Sequence, residues 1–155
     1  MVTEIIRGVD FSDFYLTLIR VLKLIDIFKD KNKNLLTKKR IIMFDFYMRF
    51  PFMTEEEREK QNFDEKYAFY FWKPNYTLYD AVLSILFSKG FILCKDECYL
   101  ICPRGEEVLK NINCEYMEIL TETGDYIINT VLKMSDKRVE EDILSKSNYG
   151  REGIN

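Results

Sequence analysis

The sequence predicts a mostly helical α+β fold. Three observations carry that expectation. Apolar residues recur at helical spacing over most of the chain, two short apolar runs flank one polar pair, and glycine or proline stands at the joints between them. The length of 155 residues and the 47% apolar share suit one ordinary domain with a sizeable core.

The first helix falls within Phe11–Phe28, where Phe14, Leu18, Val21, Leu22, Ile25 and Phe28 share a broad face and Ser12 is a plausible cap. KDKNKN, residues 29–34, reads as an exposed basic loop. A second helix is expected from Thr37, as its cap, to about Phe50. Ile41, Phe44 and Met48 form its stripe with Tyr47 beside them, and Pro51 stops it, because a proline pushes the residue before it out of the helical region. Residues 51–75 read as an insertion or flexible segment: polar TEEEREKQNFDEK, then YAFYFW as a strand or docking segment, then a Lys73-Pro74-Asn75 turn.

A third helix is expected over Thr77–Lys89, burying Leu78, Ala81, Val82, Ile85 and Leu86, with Gly90 just past its end. FILCK and CYLIC around Asp96-Glu97 read as a β-hairpin, and Pro103-Arg104-Gly105 leads into a helix carrying Val108, Leu109 and Ile112. Helix, helix, helix, hairpin, helix is the layout of a winged helix-turn-helix core with a two-stranded wing. Extra C-terminal helices follow. One spans Tyr116–Met134 with apolar Ile119, Leu120, Ile127, Ile128, Val131 and Leu132 and a break after Thr123 at Gly124; a short one lies near Asp136–Leu144. Residues 1–147 are therefore expected as one winged-helix-like domain, with 148–155 as a frayed tail.

Composition narrows the chemistry. The chain has no histidine, which excludes Ser-His-Asp, Cys-His and His-based metal arrangements. It has no GxxxxGK[ST] or GxGxxG loop to cradle phosphates. Glu55-Glu56-Glu57 reads as a solvated run, and Glu106-Glu107 as acids favoured at a helix start. Asp45, in IIMFDFYM, is the acid in the most apolar context; it is expected to reach solvent or pair with a cation such as Arg49 at i+4, against the alternative of a buried catalytic acid. Cys94, Cys98, Cys102 and Cys114 lack zinc-knuckle spacing and read as buried free thiols, Cys94 and Cys102 falling in apolar strand-like runs. No catalytic residue, metal or cofactor is expected, and the chain is not expected to be an enzyme. The absence of a signal-like N-terminal segment or an uncharged membrane-length run makes the cytoplasm the expected compartment.

Charge is polarised. Residues 29–40 hold Lys29, Lys31, Lys33, Lys38, Lys39 and Arg40 against Asp30, a net of +5, whereas 104–142 hold five basic and ten acidic residues, a net of −5. The alternative is merely solvated faces. The expected recognition helix offers only Lys89 and carries Asp80, and the wing tip reads Lys95-Asp96-Glu97. Base reading is therefore not expected, and any DNA contact falls to the backbone phosphates at 29–40. Tyr67, Phe69, Tyr70, Phe71 and Trp72 are the expected protein interface, since a small domain does not bury so many adjacent aromatics, though half of them packing on the core is an equal alternative.

Three places resemble one family, the middle component of bacterial ABC-three-component systems, including the C subunit of Lamassu-type anti-phage defence. They are Lys39-Arg40-Ile41-Ile42-Met43-Phe44-Asp45-Phe46-Tyr47 after a long first helix, the Lys89-Gly90-Phe91-Ile92 junction with its wing, and Thr121-Glu122-Thr123-Gly124 opening a C-terminal helix. The resemblance spans most of residues 11–134 and matches least over 51–75. It implies an adaptor subunit between an SMC-like ABC ATPase and an effector nuclease, with non-specific DNA contact through the complex and no membrane partner. A winged-helix DNA-binding protein or regulator is the alternative.

Overall fold

The computed structural model describes residues 11–31, 35–54 and 75–152. Their order is α1 (Phe11–Ile27), α2 (Lys38–Arg49), a 3-10 turn (Pro51–Thr54), α3 (Tyr76–Ser88), β1 (Ile92–Lys95), β2 (Cys98–Ile101), α4 (Pro103–Lys110), α5 (Glu115–Asn129), a 3-10 turn (Val131–Lys133) and α6 (Asp136–Glu152). The fold is mostly helical with one small antiparallel sheet, hence α+β. No helix among the described residues is long and apolar enough to cross a membrane. The elements gather into two compact units interleaved along the chain. One holds α1, the segment up to Lys38, α3, the hairpin and α4; the other holds α2 from Lys39 onward, α5 and α6. The expectation of a single domain over 1–147 does not contain this division, because hydropathy says which faces are apolar and not which faces meet.

In the first unit, α1 packs on α3, β2 and α4, burying Val21, Leu22, Leu24, Ile25 and, just beyond it, Phe28. Phe14 and Leu18 are half-buried, and the helix already runs at Phe11, so Ser12 lies inside it rather than capping it. α3 starts one residue before the expected Thr77, because the Asn75 side chain accepts the Leu78 N–H at 3.0 Å. Its buried face is Tyr79, Val82, Leu83 and Leu86; Ala81 is exposed and Leu78 and Ile85 half-buried, a correction of one residue in phase. Both sets have i, i+3, i+4, i+7 spacing, so periodicity alone could not separate them. Lys89 closes the helix and Gly90, at φ 75°, takes the left-handed turn that follows.

The hairpin register pairs Ile92 with Ile101, Leu93 with Leu100, Cys94 with Tyr99 and Lys95 with Cys98. Asp96 and Glu97 turn it at φ 53° and 65°, the two left-handed positions of a type I′ turn. Leu36 extends the sheet on the β2 side, its carbonyl accepting the Tyr99 N–H at 3.0 Å, and Thr37 bridges Cys98. Pro103 opens α4, and Gly105 lies inside the helix rather than before it. Ile112 falls beyond the end of α4, correcting the expected extent of that helix. All four cysteines are free; Cys98 is buried, Cys102 half-buried, and Cys94 and Cys114 exposed, against the expectation of buried thiols. CYLIC is apolar at every other position and between, so it could not say which thiol faces inward.

In the second unit, every residue from Ile41 to Met48 is buried, not only the expected stripe. Asp45 is fully buried, a correction of the expectation that it reaches solvent. α2 ends at Arg49 before Pro51 as expected. α5 continues unbroken through the buried Gly124; the roughly 1 kcal/mol that glycine costs in a helix is small beside the burial of Met117, Leu120 and Ile127 on the same helix. The break comes instead at Thr130, and Ile119 is exposed. α6 runs to Glu152, well beyond the short helix expected near Asp136–Leu144 and into residues expected as a tail.

Candidate interaction surface

The first unit presents one surface built from α3 and the hairpin. Burial of Tyr79, Val82, Leu83 and Leu86 turns the opposite side of α3 outward: Tyr76, Thr77, Asp80, Ala81, Ser84, Phe87, Ser88 and Lys89. Phe87 is 59% and Tyr76 50% exposed, and Leu93 on β1 39%. Between helix and hairpin lies an open groove of about 260 Å³ lined by Asp80, Leu83, Ser84, Phe87, Cys94 and Tyr99. That volume is below the ~300–1,000 Å³ of a typical small-molecule cleft and has room for one or two amino-acid side chains.

Asp80 is the one charged residue in the groove lining, and Lys38 sits over it with Nζ 2.8 Å from Oδ1. The hydrogen bond to Asp80 and its charge hold the Lys38 ammonium above its usual range. Burial, and then Cys94 opposite it, push the Tyr99 phenol up, so its hydroxyl stays protonated at neutral pH. The groove's one charge is thus paired, and the rest of its lining is apolar or carries a hydroxyl or thiol.

The expected phosphate-contacting set is dispersed and partly compensated. Lys29 lies 3.6 Å from Asp26, Lys38 pairs with Asp80, and Arg40 donates to Asp136 at 2.9 Å. Lys31 and Lys39 are exposed, and Lys33 lies outside the described residues. Lys29, Lys31 and Lys38 belong to the first unit, Lys39 and Arg40 to the second. The expected aromatic interface of Tyr67, Phe69, Tyr70, Phe71 and Trp72 also lies outside the described residues.

The second unit carries a polar cluster that the sequence reading did not contain. Tyr47 donates a short hydrogen bond to Asp142, and the Lys146 ammonium meets Asp142 at 3.0 Å, the Met53 carbonyl at 2.7 Å and the Tyr126 hydroxyl at 3.1 Å. Burial first, and Asp142 second, drive the Tyr47 phenol far above its ordinary value, so it stays a donor. All three lysine protons have acceptors, which makes this a brace rather than a reactive site. Arg40 meets Asp136 and Tyr47 meets Asp142, so the same direction along α2 is the same direction along α6, and the two helices run parallel. The signal lay in the i, i+4 pair Asp142 and Lys146, but nothing in the sequence links it to Tyr47. Among the described residues, no group of three cysteine or carboxylate side chains could hold a metal ion.

Compared with models of known families, with curated proteins and with solved structures, the chain matches none.

Proposed function

We propose that the chain is a non-catalytic adaptor subunit that acts in the cytoplasm by binding other proteins, with the α3–hairpin surface of the first unit as a principal contact. The observation that carries the reading is the character of that surface. Its outward helix face holds Phe87 and Tyr76, one carboxylate already paired with Lys38, and Lys89. Such a face offers little to a phosphate backbone and much to a protein, whose interfaces favour exposed aromatics and few charges. The order of α1, the Leu36–Thr37 segment paired to β2, α3 and the hairpin supports reading the first unit as a winged helix. The family resemblance of the motifs at 39–47 and 89–92 supports placing this subunit in an anti-phage defence complex, between an SMC-like ATPase and an effector nuclease; Thr121–Gly124, expected to open a helix, lies inside α5 instead.

Co-expression with an SMC-like ATPase and a nuclease taken from genes neighbouring this one tests this. The expected result is a stable complex that dissociates when Phe87→Ser and Tyr76→Ser are combined; a chain that stays monomeric with both partners present overturns the reading. Exposed Lys31 and Lys39 favour a second reading, a winged-helix DNA-binding protein or regulator. Two phosphate contacts would give a salt slope of only about −2 in a logarithmic plot. Gel-shift titration at low salt decides this, and absence of any shift removes the second reading.

A further inference from the structure

We propose that the outer edge of β1 is a strand-addition site, which takes an extended, uncharged peptide segment of a partner with one large apolar side chain seated in the α3–hairpin groove. This rests on the protein-binding reading above and names the kind of segment bound.

The two-residue turn makes Lys95 and Cys98 a hydrogen-bonded pair, so Leu93–Leu100 is bonded and Cys94–Tyr99 is not. Two bonds fix this alternation independently. Cys102 N–H meets the Phe91 carbonyl at 2.9 Å, in phase with the bonded pairs, and Tyr99 N–H turns away from β1 to the Leu36 carbonyl. The N–H and C=O of Cys94, and those of Ile92, therefore point off the free side of β1. No described residue pairs with that side. The opposite edge already accepts an extended segment of this same chain at Leu36–Thr37, in the geometry the free edge offers.

Side chains define what fits. Cys94 shares its face of the sheet with Tyr99, and both line the groove with Leu83 and Phe87. Because side chains alternate along a strand, an added strand sends every second residue towards α3. The groove admits an apolar side chain there, and its lone carboxylate, Asp80, is already met by Lys38, so a charged side chain gains no partner. Main-chain hydrogen bonds would supply affinity, and the groove would supply selection.

The probe is a capped seven-residue peptide alternating threonine with leucine and phenylalanine, titrated into the full chain by NMR. The expected result is shift changes centred on residues 92–95 and exchange of the Cys94 amide slowed about tenfold or more at saturation. Cys94→Pro removes one outward N–H without touching the ladder and abolishes binding; Cys94→Ala, which keeps the N–H and only trims the groove lining, retains binding and weakens it far less than proline does. Phe87→Ser weakens binding about tenfold or more. If Cys94→Pro does not fold, the peptide N-methylated at alternate amides replaces it and must fail in one of its two registers. A peptide that does not bind, or that binds Cys94→Pro unchanged, overturns the proposal. So does self-association through β1 in place of peptide binding, which would assign the edge to a second copy. Peptide capture at β1 by a chain that assembles with neither ATPase nor effector keeps this site and refutes the preceding reading.

Discussion

Gly105 is held against the backbone of the chain that precedes it. A Cβ there would lie 2.4 Å from the Phe91 carbonyl oxygen and 3.0 Å from Ile101, so the close approach of α4 to the hairpin's first strand needs a residue with no side chain. Gly105→Ala should destabilise the chain by about 1–3 kcal/mol, read as a lower urea midpoint with an unchanged slope. Tyr47 is the second residue whose environment makes a measurable claim. Its phenol is raised by burial and by the bond to Asp142, so the folded form keeps a proton that the unfolded chain releases near pH 10. The stabilisation is complete below that pH and is lost as pH rises above it, at up to about 1.4 kcal/mol per pH unit. Tyr47→Phe should therefore cost about 1–2 kcal/mol at pH 7, since it removes the donor to Asp142, and should flatten the stability profile between about pH 10 and 11. Denaturant melts across that range check both signs.

The hairpin turn is the element whose local chemistry disagrees with its shape. Asp96 and Glu97 both adopt positive φ; aspartate enters that region readily, but Glu97 stands where glycine is preferred and where most side chains cost about 1 kcal/mol or more. Replacing the pair with Asn-Gly should raise stability by about 1 kcal/mol, seen as a higher Tm with hairpin cross-strand contacts unchanged. The turn was nonetheless legible, because a polar pair between two apolar runs marks a hairpin even without its preferred residues. The stops were legible for the same kind of reason: Pro51 and Gly90 act on the backbone and need no knowledge of the neighbours. Which face each helix buries was less so. α3 is apolar almost all round, and α2 is buried all round from Ile41 to Met48, so the pattern that identifies a helix does not orient it. Of the interaction surface, Asp80 and the scarcity of other charge on α3 could be read from sequence. The exposure of Phe87 and Cys94 could not, since it depends on that phase.

At the scale of the molecule, the cross-chain brace of Lys146 with Met53 and of Asp142 with Tyr47 is invisible in sequence, because the partners lie 93 and 95 positions apart. It follows that no cut in the chain isolates the second unit. A fragment ending at Asn113 keeps α2 but lacks α5 and α6, with Leu120, Ile127, Val139 and Ile143 among the buried residues lost. Such a fragment should bind a hydrophobic dye strongly and aggregate at concentrations where the full chain is clear. A dye response equal to that of the intact chain would show that α2 needs neither helix.

The interleaving also sets a timetable for synthesis. α2 leaves the ribosome well before the helix that supplies Asp136, Asp142 and Lys146. At translation rates of about 5–20 residues per second, the roughly hundred residues between them take on the order of 5–20 s. Through that interval Arg40 and Tyr47 of α2 lack their α6 partners, whereas the α3–hairpin segment can close locally as soon as it emerges. The nascent chain thus carries a newly made apolar helix that is exposed to misassembly until α6 arrives or a chaperone shelters it.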